Sequence, residues 1–253
     1  MISQISSKNM KIKHIIGFIG WFFLAFGLIS ASGCSNETIQ GPRQVLVHTS
    51  FGDLVVELSD STPGHRDNFV QLVEEGFYDS LQFHRVIKGF MVQGGDPDSK
   101  SASMTTRLGS GGPGYTIPQE IRPDHLHFKG ALAAARQGDQ VNPERASSGS
   151  QFYFVQGRSF AEAELLGLQA RLNRDRTSGK NEFGYSEGEA FEYSPEAIVR
   201  YAEEGGTPFL DNQYTVFGQV IEGLDIIDSI ASVQTAAGDR PIEEQRMSME
   251  MMN

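Results

Sequence analysis

The chain predicts a mainly β fold: a closed antiparallel barrel capped by two helices and carrying a helical insertion. Three observations carry that prediction. Short strand-like runs recur between turn glycines, two segments with helical signals flank them, and Arg246-Met247-Ser248-Met249-Glu250-Met251 alternates with the period of two that suits a closing strand. Closing such a sheet removes its exposed edges.

The elements follow in order. Lys8, Lys11 and Lys13 precede an uncharged stretch from Ile15 to Ser30, then Ala31-Ser32-Gly33-Cys34, which reads as a signal peptide over 1–33. Small residues before the only cysteine resemble a bacterial lipoprotein signal, in which Cys34 is lipidated. An uncleaved membrane helix is the competing reading, since the charge-free run approaches the ~20 residues that span a bilayer. Either way the domain is tethered outside the cytoplasm, at the cell envelope and facing the periplasm or exterior. With no second cysteine, the exported domain must hold together without a disulfide. Residues 34–43 form a polar linker with Gly41-Pro42, and 44–253 form one domain. Gln44 to Val47 and Leu54 to Leu58 flank Ser50-Phe51-Gly52-Asp53 as a hairpin. Thr62-Pro63 opens a helix with Thr62 as N-cap, and Gly76 stops it.

In Phe83-His84-Arg85-Val86-Ile87-Lys88, strand alternation puts Phe83, Arg85 and Ile87 on one face and His84 on the other, where it reads as a hydrogen-bonded core histidine. After Gly89, Met91 and Gln93 share a face of a second strand, so charge, thioether and amide converge on one cleft. On spacing alone, a surface ion-pair arginine beside plain core explains the same residues. Gly109-Ser110-Gly111-Gly112-Pro113-Gly114 matches G-x-G-x-x-G, but Pro113 and Pro118 favour extended chain where a nucleotide site needs a helix. Tyr214 to Val220 is strand-like, and Gly223 to Ala231 is a short apolar-faced helix.

Between Phe154-Val155 and Phe209-Leu210 about fifty residues intervene, and 158–208 is an insertion by resemblance to a family that has a short loop there. Ser159 to Arg174 carries Leu165, Leu166, Leu168 and Leu172 at helical spacing, Ser194-Pro195-Glu196 opens a second helix, and Gly205-Gly206 closes it. Seven acids and one arginine lie between Glu182 and Glu204. The insertion is either a solvated decoration packed on the barrel or a rim to the cleft that biases partner choice.

Removing 1–33 leaves 18 basic against 32 acidic side chains, a formal charge of −14. No basic run appears, so nucleic acid is excluded as a partner. His125-x-His127 would place two imidazoles on one face, with Glu120 and Asp124 nearby, but lacks a third close ligand, and no metal or other cofactor is expected. No G-x-S-x-G elbow exists, so nucleophilic catalysis has no obvious residue.

The blocks Tyr78 to Ile87, Phe90-Met91-Val92-Gln93-Gly94-Gly95, Gly130 to Arg136, Ser148 to Phe154, Phe209-Leu210-Asp211 and Tyr214 to Gly218 resemble, in order, the cyclophilin family of peptidyl-prolyl isomerases. The resemblance runs from about Val45 to Met251 and implies an eight-stranded barrel. It also implies that Arg85 is catalytic, that Gln93 orients Arg85 and the substrate carbonyl, and that Phe90, Met91, Tyr153 and Leu210 form a proline pocket. Ala135 and Arg136 would edge the peptide groove through backbone contacts. Phe209 and Tyr214 join the substrate-binding set where many eukaryotic members carry Trp and His, and Tyr153 stands where they carry Phe. The function so implied is prolyl cis/trans isomerisation assisting the folding of exported, proline-containing proteins. A binding module with incidental isomerisation and a purely structural envelope lipoprotein are the other readings.

Overall fold

The computed structural model describes residues 41–177 and 190–252. The signal segment 1–33, Cys34, most of the 34–43 linker and the middle of the insertion's acidic connector lie outside the described residues.

Strand β1 (Gln44–Thr49) and strand β2 (Gly52–Leu58) form the expected hairpin, with Val45 opposite Val56 and Val47 opposite Leu54. All four are wholly buried, so a one-residue slip in register would turn this apolar set to water. Further along come β3 (Leu81–Gln82), β4 (Arg85–Ile87), β5 (Met91–Gly94), β6 (Thr116–Ile117), β7 (Ala131–Ala134), β8 (Ser147–Ser148), β9 (Phe152–Val155), β10 (Val216–Glu222) and β11 (Arg246–Met251). Nine of them make one curled antiparallel sheet, ordered β3-β11-β1-β2-β10-β7-β9-β5-β4, while β6 pairs with β8 apart from it.

Two expectations change here. The main sheet has nine strands rather than eight, and its ladder ends at β3 and β4 instead of closing. These ends are consecutive in sequence, and the chain changes partners between them: the Phe83 amide donates to the Gln245 carbonyl (2.8 Å) and the His84 amide to that of Gln93 (3.0 Å). That switch breaks the alternation expected through 83–88. Phe83 joins Val86 in the core, and His84 is on the same side as Arg85 rather than facing away from it.

The core inside the curl is strongly aromatic. Phe69 meets Tyr78 at 5.1 Å and Phe152 at 5.7 Å between ring centres, with Phe83, Phe154 and Phe217 around them. Each such buried side chain contributes roughly 1.5–3 kcal/mol relative to exposure. Helix α1 (Pro63–Glu74) supplies Phe69, Leu72 and Val73 to this core, and a later short helix, Leu224–Ala231, supplies Ile227 and Ile230.

Thr62 precedes α1 as expected but does not cap it by side chain. The first-turn amides are taken by a distant acid, with Gly64 and His65 each donating a backbone N–H to the Glu120 carboxylate (3.0 and 2.9 Å). The His65 ring bridges the same carboxylate (Nδ1, 2.6 Å) to Ser147 Oγ (Nε2, 2.9 Å).

In the insertion, helix α2 spans Glu162–Thr177 and α3 spans Pro195–Glu203, which makes the Leu224–Ala231 helix α4. Helix α2 starts three residues later than expected, with Glu164 accepting from the Ala161 amide. Ser194 caps α3 as expected, accepting from the Ala197 amide (3.2 Å). Leu165 and Leu172 are buried, Leu168 is partly so, and Leu166 faces solvent. They share a second, smaller core with Phe160, Phe191, Tyr193 and Tyr201, against Leu126 and Phe128. The insertion's two ends cross at Gly206, which exchanges backbone hydrogen bonds with Arg158, and a Cβ there would lie 2.3 Å from the His127 carbonyl oxygen. Only glycine fits that crossing.

Candidate active site

Cross-strand register lines up one row of residues. Arg85 pairs with Gln93, Gln93 with Tyr153, Tyr153 with Ala133, and Ala133 with Val216, across β4, β5, β9, β7 and β10. Because side chains alternate between sheet faces, this row and its neighbour Met91 turn away from the aromatic core. They form an apolar cluster of their own, with Met91, Ala131, Ala133, Tyr153, Val155 and Val216 buried and Ile87, Phe90, Ala135, Leu210 and Tyr214 packed against it. This floor lies under a cavity of about 630 Å³.

Nine of the ten substrate-site candidates line that cavity: Arg85, Phe90, Met91, Gln93, Ala135, Arg136, Tyr153, Leu210 and Tyr214. Phe209 does not. It packs against Phe90 (5.6 Å between centres) but is half-exposed and looks onto α2, where it borders a shallow apolar hollow with Phe160 and Leu168. Its backbone belongs to the single 3-10 turn Pro208–Leu210, which aims Leu210 at the cavity and Phe209 past it.

Gln93 Nε2 donates to Gln151 Oε1 (3.0 Å), whose own amide donates to the Gly111 carbonyl (2.7 Å), so Gln93 is braced through Gln151. Arg85 Nε points to Asp239 Oδ2 at 3.4 Å, a half-exposed pair that leaves both Nη groups without a protein partner among the described residues. The Ala135 amide and carbonyl are already used, by the Gln151 carbonyl and the Ser148 amide. The Arg136 side chain is buried, donates to the Gln213 carbonyl (3.0 Å) and Asp139 (2.6 Å), and lies over the Tyr214 ring at 4.5 Å. That cation–π contact fixes one cavity wall.

His84 also lines the cavity, yet neither ring nitrogen has a partner at hydrogen-bond geometry among the described residues, contrary to expectation. Burial pushes its pKa down to about 4 against the opposing pull of Asp96, so the ring is neutral at pH 7. The two histidines considered as metal ligands lie outside any strand. His125 is held by Ser59 Oγ (2.7 Å), and His127 is wholly buried against Asp211 (2.9 Å). No group of three His, Cys, Asp or Glu able to hold a metal occurs among the described residues.

The sequence reading missed the opposite wall, Met104 to Ser110. Buried Asp96 accepts amides from Gly109 (2.5 Å) and Gly111 (3.3 Å), and Arg240 Nη1 donates to the carbonyls of Ser103 (2.9 Å) and Thr106 (2.8 Å). Asp239 was missed too, although Gly238-Asp239 is a turn signal and both residues have positive φ (79° and 62°). What the turn signal lacks is its destination, an arginine 154 positions earlier.

The result is a half-exposed guanidinium beside a buried apolar floor. Such a site suits a bond rotation next to a bound apolar ring.

Known proteins agree with that chemistry. The family model "Cyclophilin type peptidyl-prolyl cis-trans isomerase/CLD" matches residues 44–251. A Staphylococcus saprophyticus protein provisionally named peptidyl-prolyl cis-trans isomerase is 35% identical over 215 residues, covering 83% of this chain and 91% of that protein. A Staphylococcus epidermidis protein of the same name is 36% identical over 213 residues, 82% of this chain and 90% of its own. Among solved structures, a Cryptosporidium parvum cyclophilin type peptidyl-prolyl cis-trans isomerase superposes with a TM-score of 0.57 at 23% identity, over 84% of this chain and 99% of that one. A second structure of it, determined in the presence of the dipeptide Ala-Pro, gives 0.56 at the same identity. Likeness at that identity supports the fold.

Proposed function

The chain belongs to the cyclophilin-type peptidyl-prolyl cis-trans isomerase family and is an isomerase of that type, and from this we propose that Arg85 is its catalytic group and that the floor beside it receives the proline ring. The carrying observation is the register row that sets Arg85 and Gln93 beside Tyr153 and Met91 on the open face of the sheet.

Amide resonance puts a barrier of ~18–20 kcal/mol on the C–N rotation. In the twisted state the prolyl nitrogen regains its lone pair, and a guanidinium can donate to it. The free Nη groups of Arg85 suit that task, and lysine would lack the planar fork. A charge-assisted hydrogen bond contributes about 1.5–3 kcal/mol, roughly ten- to 150-fold in rate. The remainder comes from binding the twisted amide better than the planar one. Met91, Phe90, Tyr153 and Leu210 hold the ring by apolar contact, and Gln93, fixed through Gln151, presents its amide to the substrate carbonyl.

On the pattern of Lys8, Lys11 and Lys13, the apolar stretch and Cys34, the enzyme works at the cell envelope as a lipid-anchored protein. Its substrates are then proline-containing exported proteins that are still unfolded.

Arg85→Ala is the test. In a protease-coupled assay on a prolyl peptide, kcat/KM falls at least about tenfold while the fold is retained. Turnover equal to wild type would remove Arg85 from the mechanism.

A further inference from the structure

We infer that Asp211 is a positioning residue through which the insertion holds the Tyr153 wall of the proline cavity in place. The inference rests on the isomerase reading and adds to it a path from outside the main sheet.

Asp211 follows Leu210 and is wholly buried. Both of its oxygens are filled by donors. Oδ1 accepts from the backbone N–H of His127 (2.8 Å) and from His127 Nδ1 (2.9 Å), while Oδ2 accepts from the hydroxyls of Tyr193 (2.9 Å) and Tyr201 (2.7 Å). A buried carboxylate is costly unless its lone pairs are met, and here two of the four donors come from the insertion. With Nδ1 of His127 donating to Asp211, its Nε2 is turned to the opposite side of the ring. It faces the Tyr153 hydroxyl at 3.1 Å, and the two rings lie nearly parallel, at 12°.

An unbroken chain of hydrogen bonds therefore runs from α3 through Tyr201, Asp211 and His127 to Tyr153, whose ring stands in the row with Gln93 and Arg85. The insertion is fastened at the same point by main chain, with the Thr207 amide donating to the His127 carbonyl (2.8 Å). Simple packing of a decoration would need apolar contacts only. This junction instead spends a buried acid, a buried imidazole and three buried hydroxyls on one geometry.

A double-mutant cycle decides it, with kcat and KM measured for Tyr153→Phe, Tyr201→Phe and the pair. Tyr201→Phe is expected to lower kcat about three- to tenfold with little change in KM, and to have no further effect once Tyr153 is Phe. Independent, multiplying effects, or no effect of Tyr201→Phe, overturn the inference. The methyl carbon shift of Met91 reads the cavity wall without turnover, and should move in Tyr201→Phe but not when that change is made in Tyr153→Phe. Absence of wild-type turnover would instead overturn the isomerase reading, while an unmoved Met91 signal overturns this one alone.

Discussion

The catalytic step as derived transfers no proton and donates a hydrogen bond from Arg85. His84 beside it has a pKa of about 4, so its charge changes only well below neutrality. The expected kcat/KM is therefore flat between pH 5.5 and 8, and a break near 6.5 would show a histidine titrating within the site. At this scale the chain was partly legible. Period-two spacing put Arg85, Met91 and Gln93 on one face, as the β4–β5 ladder does, but left a surface ion pair as an equal reading, and Arg85 does pair with Asp239. It misplaced His84 and Phe83, because the strand exchanges its partner between them and alternation restarts. The clamps from Asp96 and Arg240 were invisible, since each grips main chain, which leaves no mark in side-chain pattern.

Among elements, α1 shows where local signals stop. Thr62-Pro63 located the helix start, yet the cap comes from Glu120, a long-range partner no local rule supplies. Desolvation would raise the Glu120 pKa, but the His65 ring and the amides of Gly64 and His65 outweigh it and hold it low. The stabilisation is thus present above the unfolded carboxylate value of about 4.3 and lost as pH falls through the folded value. Burial lowers the pKa of His65 despite Glu120, so below about 6.5 the unfolded chain takes up a proton that the folded ring resists. Stability therefore declines first as pH falls below about 6.5, through His65, and again as it falls below about 4.3, through Glu120. Glu120→Ala is expected to cost about 0.5–2 kcal/mol in urea unfolding at pH 7 and to flatten the lower step. An unchanged midpoint would show that solvent replaces the cap.

For the whole molecule, the insertion is the part the sequence described least. Helical spacing predicted α2 and α3, but not that Tyr193 and Tyr201 would reach Asp211, because hydroxyl partners have no periodic signature. The anchor is a question of the same scale. Protein extracted from membranes is expected to begin at Cys34, with acyl chains on that residue by mass spectrometry. Retention of residues 1–33 would instead favour the membrane-helix reading. The loop opposite Arg85 has a different implication. It is hung from Asp96 and Arg240 by its amides and carbonyls, that of Met104 included, so the side chains of Met104, Arg107 and Leu108 carry no share of its suspension. Side-chain changes at those three positions are expected to leave the doorway's outline intact, so that kcat/KM across a set of prolyl peptides would change in its sequence preference and not in the fold.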